Sequence, residues 1–121
     1  MAVNVIVLNR GDSYDFDLTI NLGDSTTERY ILQGDDVVYF GVMDPGQPFE
    51  EALVKKRFTV QDLDAAGNLN ISILPEDTID LFPGKYYYSI KLKMDHLDET
   101  LGERISKIYT IINKTKFILC D

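Results

Sequence analysis

The strongest constraint on the fold of this chain is a strict two-residue alternation of apolar and polar side chains. Residues 14–20 read Tyr-Asp-Phe-Asp-Leu-Thr-Ile, and the same alternation returns in residues 69–73 and 85–94. Successive side chains of a β-strand point to opposite faces of a sheet, so this pattern is typical of strands with one buried face. Three such strands are therefore predicted.

Further segments are less regular but rich in β-branched or aromatic residues, which favour extended structure. Clusters of Gly, Asp, Asn and Pro separate them, and turns at a spacing of roughly ten residues are typical of a sandwich or barrel. We therefore predict an all-β antiparallel sandwich of about seven strands. The additional strands are expected at residues 2–8, 29–32, 37–42, 53–58 and 104–112, with a possible tail strand at 116–119.

Residues 75–81 interrupt the alternation. Pro75 suits the first position of a helix, and Glu76 and Asp77 follow where the helix dipole favours negative charge. Because the segment is too short for a full helix, we predict a one-turn helix near residues 75–81 that links two strands.

Residues 81–88 read Leu-Phe-Pro-Gly-Lys-Tyr-Tyr-Tyr, which is similar to the tyrosine corner of immunoglobulin-like (Ig-like) sandwiches. In that corner a tyrosine hydroxyl bonds back to the backbone before its strand, and Tyr86 or Tyr88 would take this role. One cysteine and no tryptophan exclude the antibody-type disulfide and core tryptophan, so only the broader Ig-like class is implied. The alternative is that the tyrosines merely pack one β-face.

The chain has 121 residues, no internal repeat and no proline-rich linker, which predicts a single Ig-like domain over residues 1–121. A domain of this length hides roughly two-thirds of its unfolded surface, enough for one apolar core. The inward positions of the alternating strands predict the core members, namely Phe16, Leu18, Ile71, Ile73, Tyr88, Ile90 and Leu92.

Charge and hydropathy exclude two classes of partner. Twenty acidic against twelve basic residues give a formal charge of −8, which repels a phosphate backbone, so no nucleic acid is expected. No stretch approaches the roughly eighteen apolar residues of a membrane-spanning helix, and residues 1–12 do not resemble a signal peptide. We therefore expect a soluble protein made in the cytoplasm, without a membrane partner.

No catalytic constellation is visible. The one histidine, His96, lies in the polar segment 95–103, which we interpret as an exposed hairpin loop rather than as the site of a catalytic base. No glycine-rich loop precedes a helix, so no phosphate-binding motif is present. We predict a non-enzymatic protein with no cofactor.

Residues 62–68 begin like a calcium-binding loop, with acids at its first and third positions and glycine at its sixth. Ala66 and Ile73 then occupy positions that need oxygen donors, so we interpret the segment as a hairpin turn instead. The acids of segment 95–103 match no known cation cage. No metal site is predicted.

Two groups of residues are candidates for contacts with other proteins. Tyr87 points away from Tyr86 and Tyr88, beside Lys91 and Lys93, and an outward tyrosine among lysines suits a contact anchor. The alternative is that these lysines protect a sheet edge against unwanted pairing.

The second group is the tail, residues 113–121, which carries an apolar cluster that includes Phe117 and Leu119. A sandwich that ends near residue 112 would not need this cluster, so the tail is a possible assembly segment. The alternative is that Phe117 and Leu119 complete the last strand of the domain itself.

Four segments together carry a family resemblance. A Gly-Asp turn opens a strand at residues 11–20, and a second strand ends in Asp-Pro-Gly at residues 37–46. A glycine turn then leads to a strand closed by Pro-Glu-Asp at residues 64–78, and the sequence Pro-Gly-Lys-Tyr-Tyr-Tyr follows within residues 82–90. Their order resembles the Ig-like N-terminal domain of phage baseplate upper proteins and related phage tail and fibre modules. The resemblance covers about residues 10 to 94, and such domains anchor larger proteins to the particle.

The resemblance implies a bacteriophage virion structural protein that acts as an assembly or attachment module in the capsid, neck, tail or baseplate. It further implies other virion proteins as partners, many copies or a homo-oligomer in the particle, and synthesis in the bacterial host cytoplasm. The alternative function is a module that binds a host-surface glycan, with Tyr87 and the acidic segment 95–103 as the first candidates for the contact.

Overall fold

The computed structural model describes residues 5–21 and 29–121, and strands dominate it. The strands are β1 (Ile6–Asn9), β2 (Tyr14–Leu18), β3 (Val37–Met43), β4 (Val54–Phe58), β5 (Leu69–Ile73), β6 (Gly84–Asp98) and β7 (Glu103–Cys120). One short α-helix, α1 (Pro75–Thr78), and two 3₁₀ helices, Phe49–Glu51 and Val60–Asp62, lie between them. No helix in these two ranges is long and apolar enough to cross a membrane.

The strands form two sheets, a five-stranded one in the order β1-β7-β6-β3-β4 and a two-stranded one made of β2 and β5. The predicted sandwich-like all-β fold with about seven strands and a short helix after residue 74 is thus confirmed. One pairing differs from the prediction, because β1 runs parallel to the end of β7, with Ile6 opposite Phe117. Alternation within a strand sets its faces but not the direction of a distant partner.

Apolar side chains from both sheets meet in one core. Phe40 on β3 lies at its centre, with its ring centroid 5.7 Å from that of Tyr88 on β6 and 6.5 Å from that of Phe16 on β2. Six of the seven predicted core residues are buried, and Phe16 is half-buried against the same cluster. The strand faces were therefore predicted correctly.

Two segments depart from the strand prediction. Residues 29–32 form no strand, and Tyr30 makes only an isolated bridge to Ile20. Residues 116–119 are not a separate tail strand, because β7 continues without interruption to Cys120. Residues 2–4 of the predicted strand 2–8 lie outside the described ranges.

The pairing of β7 with β6 is irregular on both sides of Ile90. The pairing moves from Tyr88–Thr115 to Ile90–Ile112, so β7 carries an extra residue opposite Ser89. The Ser89 hydroxyl accepts the backbone N–H of Lys114 at 3.0 Å, which satisfies a donor that the irregular ladder would otherwise leave unpaired. Such bulges increase the twist of a strand.

An ion pair connects α1 to the five-stranded sheet. Lys56, on the inner face of the edge strand β4, places its Nζ 2.6 Å from Oδ2 of Asp77, and both side chains are largely buried. The same carboxylate accepts the backbone N–H of Leu74 at 2.7 Å. The short helix is therefore held under the edge of the larger sheet, and an inward-pointing charge on an edge strand discourages pairing with another chain.

The tyrosine corner is formed by Tyr86, whose hydroxyl donates to the carbonyl oxygen of Phe82 at 2.5 Å. Burial, and then the nearby charge of Asp44, raises the pKa of the Tyr86 hydroxyl, so the group stays a donor at neutral pH. The predicted corner is confirmed with Tyr86 in the role, while Tyr88 lies in the core.

We expect Tyr86→Phe to lower the free energy of unfolding by about 1 kcal/mol, the usual net contribution of one such hydrogen bond. The ring and its packing are retained, so urea denaturation should show a lower midpoint with an unchanged slope. The matched control is Tyr39→Phe, which removes a hydroxyl from a half-exposed ring and should change stability by less than about 0.5 kcal/mol. Equal effects at both positions would contradict a structural role for the corner.

Candidate functional site

The only histidine of the chain is not in an exposed loop, contrary to the sequence-based interpretation. Strand β6 continues to Asp98, so His96 lies inside the strand, opposite Ile105 of β7, with 6% of its surface exposed. Asp95, His96 and Asp98 place polar side chains on both faces of the strand, and for this reason the segment looks like a loop in the sequence. The inner face at this end of the hairpin meets a buried carboxylate instead of apolar side chains.

That carboxylate belongs to Asp36, which is fully buried just before β3. Its Oδ1 lies 2.9 Å from Nδ1 of His96 and accepts the backbone N–H of Asp95 at 2.6 Å. Its Oδ2 accepts the hydroxyl of Tyr30 and, at 3.1 Å, the backbone N–H of Gln33. Four donors therefore converge on one carboxylate and join the segment before β3 to the end of β6.

The protonation states in this network follow from burial and hydrogen bonding. Burial alone would raise the pKa of Asp36, but hydrogen bonds from Tyr30, His96, Asp95 and Gln33 hold it below its ordinary value. Burial, followed by the hydrogen bond to Asp36, raises the pKa of the Tyr30 hydroxyl. At neutral pH Asp36 is therefore a carboxylate and Tyr30 a donor.

The contact with Asp36 also assigns the tautomer of His96. A ring nitrogen 2.9 Å from a carboxylate oxygen carries the proton, so the neutral imidazole presents its lone pair at Nε2. No protein group in the described ranges hydrogen-bonds to Nε2, and in the same ranges no fully buried side-chain nitrogen or oxygen lacks a partner. Within those ranges Nε2 is therefore the ring nitrogen without a protein partner, in a residue that is almost entirely buried.

An open pocket of about 400 Å³ has His96 among its lining residues. Gln33 forms one wall and the end of the β6–β7 hairpin forms the other; the full lining is Gln33, His96, Leu97, Asp98, Glu99 and Thr100. Asp98 holds the hairpin turn, because its Oδ1 accepts the backbone N–H of Thr100 at 3.0 Å. The pocket thus combines a fixed imidazole with two carboxylates, one of them engaged in the turn.

Ion pairs of a residue outside the pocket connect its two walls. Arg104 donates to Asp95 at 2.7 Å and to Asp35 at 2.8 Å, which ties the hairpin to the turn before β3. Gly34 in that turn has φ of +59°, and a Cβ there would lie 2.7 Å from Cβ of His96. Only glycine lets the turn approach the histidine this closely.

The segment that begins like a calcium-binding loop forms the expected turn. Asp64 accepts the backbone N–H groups of Ala66 and Asn68, each at 2.9 Å, and the guanidinium of Arg29 donates to the carbonyl oxygen of Ala66 at 2.7 Å. Side-chain and backbone oxygens of this turn are thus used within the protein. Residues 5–21 and 29–121 contain no group of three His, Cys, Asp or Glu side chains arranged to hold a metal ion.

The predicted contact residues on β6 share the outer face of the larger sheet. Tyr87 is half-buried opposite Met43 and Lys116. Lys91 places its Nζ 4.9 Å from the centre of the Phe49 ring, a cation–π contact within the protein. Lys93 is half-buried, opposite Ile108 of β7.

Phe117 and Leu119 occupy a different environment from the one expected of contact residues. Both are buried in the core, where Phe117 lies opposite Tyr86 on one side and Ile6 on the other. The alternative interpretation therefore describes them correctly, since they complete the last strand of the fold. Their side chains are inward positions of β7 and are not available to a partner.

Comparison with known proteins adds no relative. No protein-family model, no curated protein and no solved structure matches this chain.

Proposed function

We propose that this chain is a non-enzymatic structural protein of a bacteriophage particle, which attaches to neighbouring virion proteins through the outer side of the β6–β7 hairpin. The observation that carries the proposal is the edge of β7. This strand has 18 residues, and within the described ranges β1 pairs only with its last four, from Phe117 to Cys120. The rest of the edge, residues 103–116, has no strand partner in those ranges.

An exposed strand edge of this length is a template for pairing with another chain. Its backbone N–H and C=O groups supply affinity when a partner strand is added, and its side chains supply specificity. Particle proteins that assemble in many copies can use such edges, which in a freely soluble protein favour aggregation.

The charge on this edge differs from that of the whole chain. Residues 103–116 carry four exposed basic side chains, those of Arg104, Lys107, Lys114 and Lys116, against Glu103 alone, while the chain has a formal charge of −8. A locally basic strand on an acidic protein favours an acidic partner surface and opposes non-specific association. A neighbouring copy or another acidic virion protein would meet this requirement.

Three apolar side chains on the hairpin are exposed to an unusual degree. Ile108 on β7 is 70% exposed and Leu97 on β6 is 54% exposed, both on the outer face, and Leu101 in the turn is 67% exposed. Apolar anchors with a polar and charged surround are typical of protein contact surfaces. The family resemblance and the tyrosine corner support the same assignment.

The proposal predicts that Ile108→Asp leaves the fold intact but prevents incorporation into particles. At an exposed position inside a strand the change costs about 1 kcal/mol, the span of the strand-propensity scale, whereas a carboxylate at the centre of an interface loses affinity. The variant and the unmodified chain should be supplied together to infected cells, and their ratio in purified particles measured by mass spectrometry. We expect the variant to be depleted at least about tenfold, the effect of roughly 1.4 kcal/mol in binding.

The matched control is Leu53→Asp, an exposed apolar position just before β4, at the opposite edge of the larger sheet. Equal incorporation of the Ile108 variant and the control would contradict the proposed surface. A glycan array separates the alternative function, because specific retention of a host-surface glycan, lost in a Tyr87→Ser variant, would favour the adhesion module over the assembly module.

A further inference from the structure

We propose that the pocket beside His96 binds a primary ammonium group, which donates to Nε2 of His96 and is neutralised by the carboxylate of Glu99. This proposal does not depend on the proposed virion function. It rests on the fixed imidazole, on the charge of the pocket lining, and on the shape that Gln33 and the hairpin end give to the pocket.

The imidazole is prepared as an acceptor. Asp36 holds the proton at Nδ1, and the Tyr30 hydroxyl and two backbone N–H groups fix the carboxylate in turn. An acceptor whose orientation is set before binding loses little entropy when a donor arrives. In the part of the chain that the structure describes, no protein group hydrogen-bonds to the other ring nitrogen, Nε2.

The charge of the lining selects a cationic donor. Asp98 and Glu99 contribute two carboxylates, and no basic side chain is among the described residues that line the pocket. The guanidinium of Arg104 is engaged with Asp35 and Asp95, neither of which lines the pocket. Glu99 is exposed and can turn towards a ligand, while Gln33 can offer its carbonyl oxygen.

An ammonium group matches this arrangement because it has three donors and no acceptor. One donor meets Nε2, a second meets Glu99, and the third meets Gln33 or water. A carboxylate or phosphate ligand would meet the two acidic side chains and is excluded by repulsion.

Binding should be lost in acid. Protonation of the imidazole converts Nε2 from an acceptor to a donor and adds a positive charge beside the ammonium group. The charged and titratable groups around the ring are Tyr30, Asp35, Asp36, Asp95, Asp98, Glu99 and Arg104. Asp36 itself stays ionised at neutral pH, because its hydrogen bonds hold its pKa below the ordinary value.

The single histidine permits a direct test, because its ring signals in a long-range ¹H–¹⁵N spectrum need no assignment. We expect Nε2 of the free protein to show the shift of an unprotonated ring nitrogen. Titration with Nα-acetyl-lysine methylamide should shift Nε2 saturably, while the Nε-acetylated form of the same probe should not. Methylammonium serves as a second probe, because it carries the ammonium group without the rest of a lysine side chain. If a protein supplies the ligand, the lysine probe should bind more tightly than methylammonium.

Glu99→Gln should weaken binding of the lysine probe at least about fivefold, the effect of roughly 1 kcal/mol. The matched control is Glu103→Gln, which removes the same charge from the hairpin at a position that does not line the pocket. The proposal is overturned if Nε2 is unchanged by either amine at high millimolar concentration, if the acetylated probe binds equally well, or if the two variants weaken binding to the same extent.

Discussion

Deletion of residues 114–121 is expected to unfold the protein. The deleted segment contains the part of β7 that pairs on both sides, with β1 in parallel and with the start of β6 in antiparallel orientation. It also removes Phe117 and Leu119, which are buried in the core. Large-to-small changes at such positions cost about 2–5 kcal/mol each, against a total stability of about 5–15 kcal/mol for a domain.

Circular dichroism and a thermal melt would measure this outcome. We expect the truncated chain to lose its cooperative transition. The control is removal of Asp121 alone, which breaks its exposed ion pair with Arg10 at 2.9 Å and should cost less than about 1 kcal/mol. A truncated chain that keeps its melting temperature would show that the last strand is not part of the core.

Asp36→Ala is expected to lower the free energy of unfolding by about 3–5 kcal/mol. The substitution removes a buried acceptor and leaves four donors without a partner, those of Tyr30, Gln33, Asp95 and His96. Asp36→Asn keeps the shape and one oxygen, so it should cost less. Urea denaturation at neutral pH would measure both.

The control for this prediction is Asp35→Ala. Its carboxylate is largely exposed and paired with Arg104, so its removal should cost less than about 1 kcal/mol. Similar losses for the two neighbouring aspartates would contradict the buried network.

The same carboxylate predicts a dependence of stability on acid. The pKa of Asp36 in the folded protein lies below its ordinary value of about 4, which applies to the unfolded chain. The contribution of Asp36 to the free energy of unfolding is therefore fully present above about pH 4, and it is lost as the pH falls through the lower pKa of the folded state. The raised pKa of Tyr30 acts in the opposite range: its contribution is present below about pH 10 and is lost as the pH rises. Asp36→Ala should therefore flatten the acid side of the stability curve, and an unchanged acid slope would contradict this assignment.

The parts of the fold that sequence predicted are those in which one residue type repeats on one face. The alternation around Phe16, Ile71 and Ile90 sets strand faces, and a strand with one apolar face has few other ways to fold. The tyrosine corner was predictable for a related reason, since Pro83 and Gly84 place a turn immediately before Tyr86. Short-range chemistry of this kind is contained in the chain itself.

The rest depended on contacts between distant segments. Asp36 looks like any turn aspartate, and His96 like any loop histidine, until the fold brings them within 2.9 Å. The parallel pairing of β1 with the end of β7 joins the two ends of the chain, where no hairpin sets the register. The sequence signal nearest to the network is the histidine in a segment that continues the alternation of β6, since Met94 and His96 are successive inward positions.

The most direct test of the proposed function is a mass-spectrometric inventory of purified phage particles from infected cells that express this chain. Particles should be banded by density and washed at high salt, so that adsorbed host proteins are removed. The proposal predicts that this chain is retained in many copies and in a fixed ratio to the other virion proteins. Its absence from particles, while it is abundant in the infected-cell extract, would contradict a structural role in the virion.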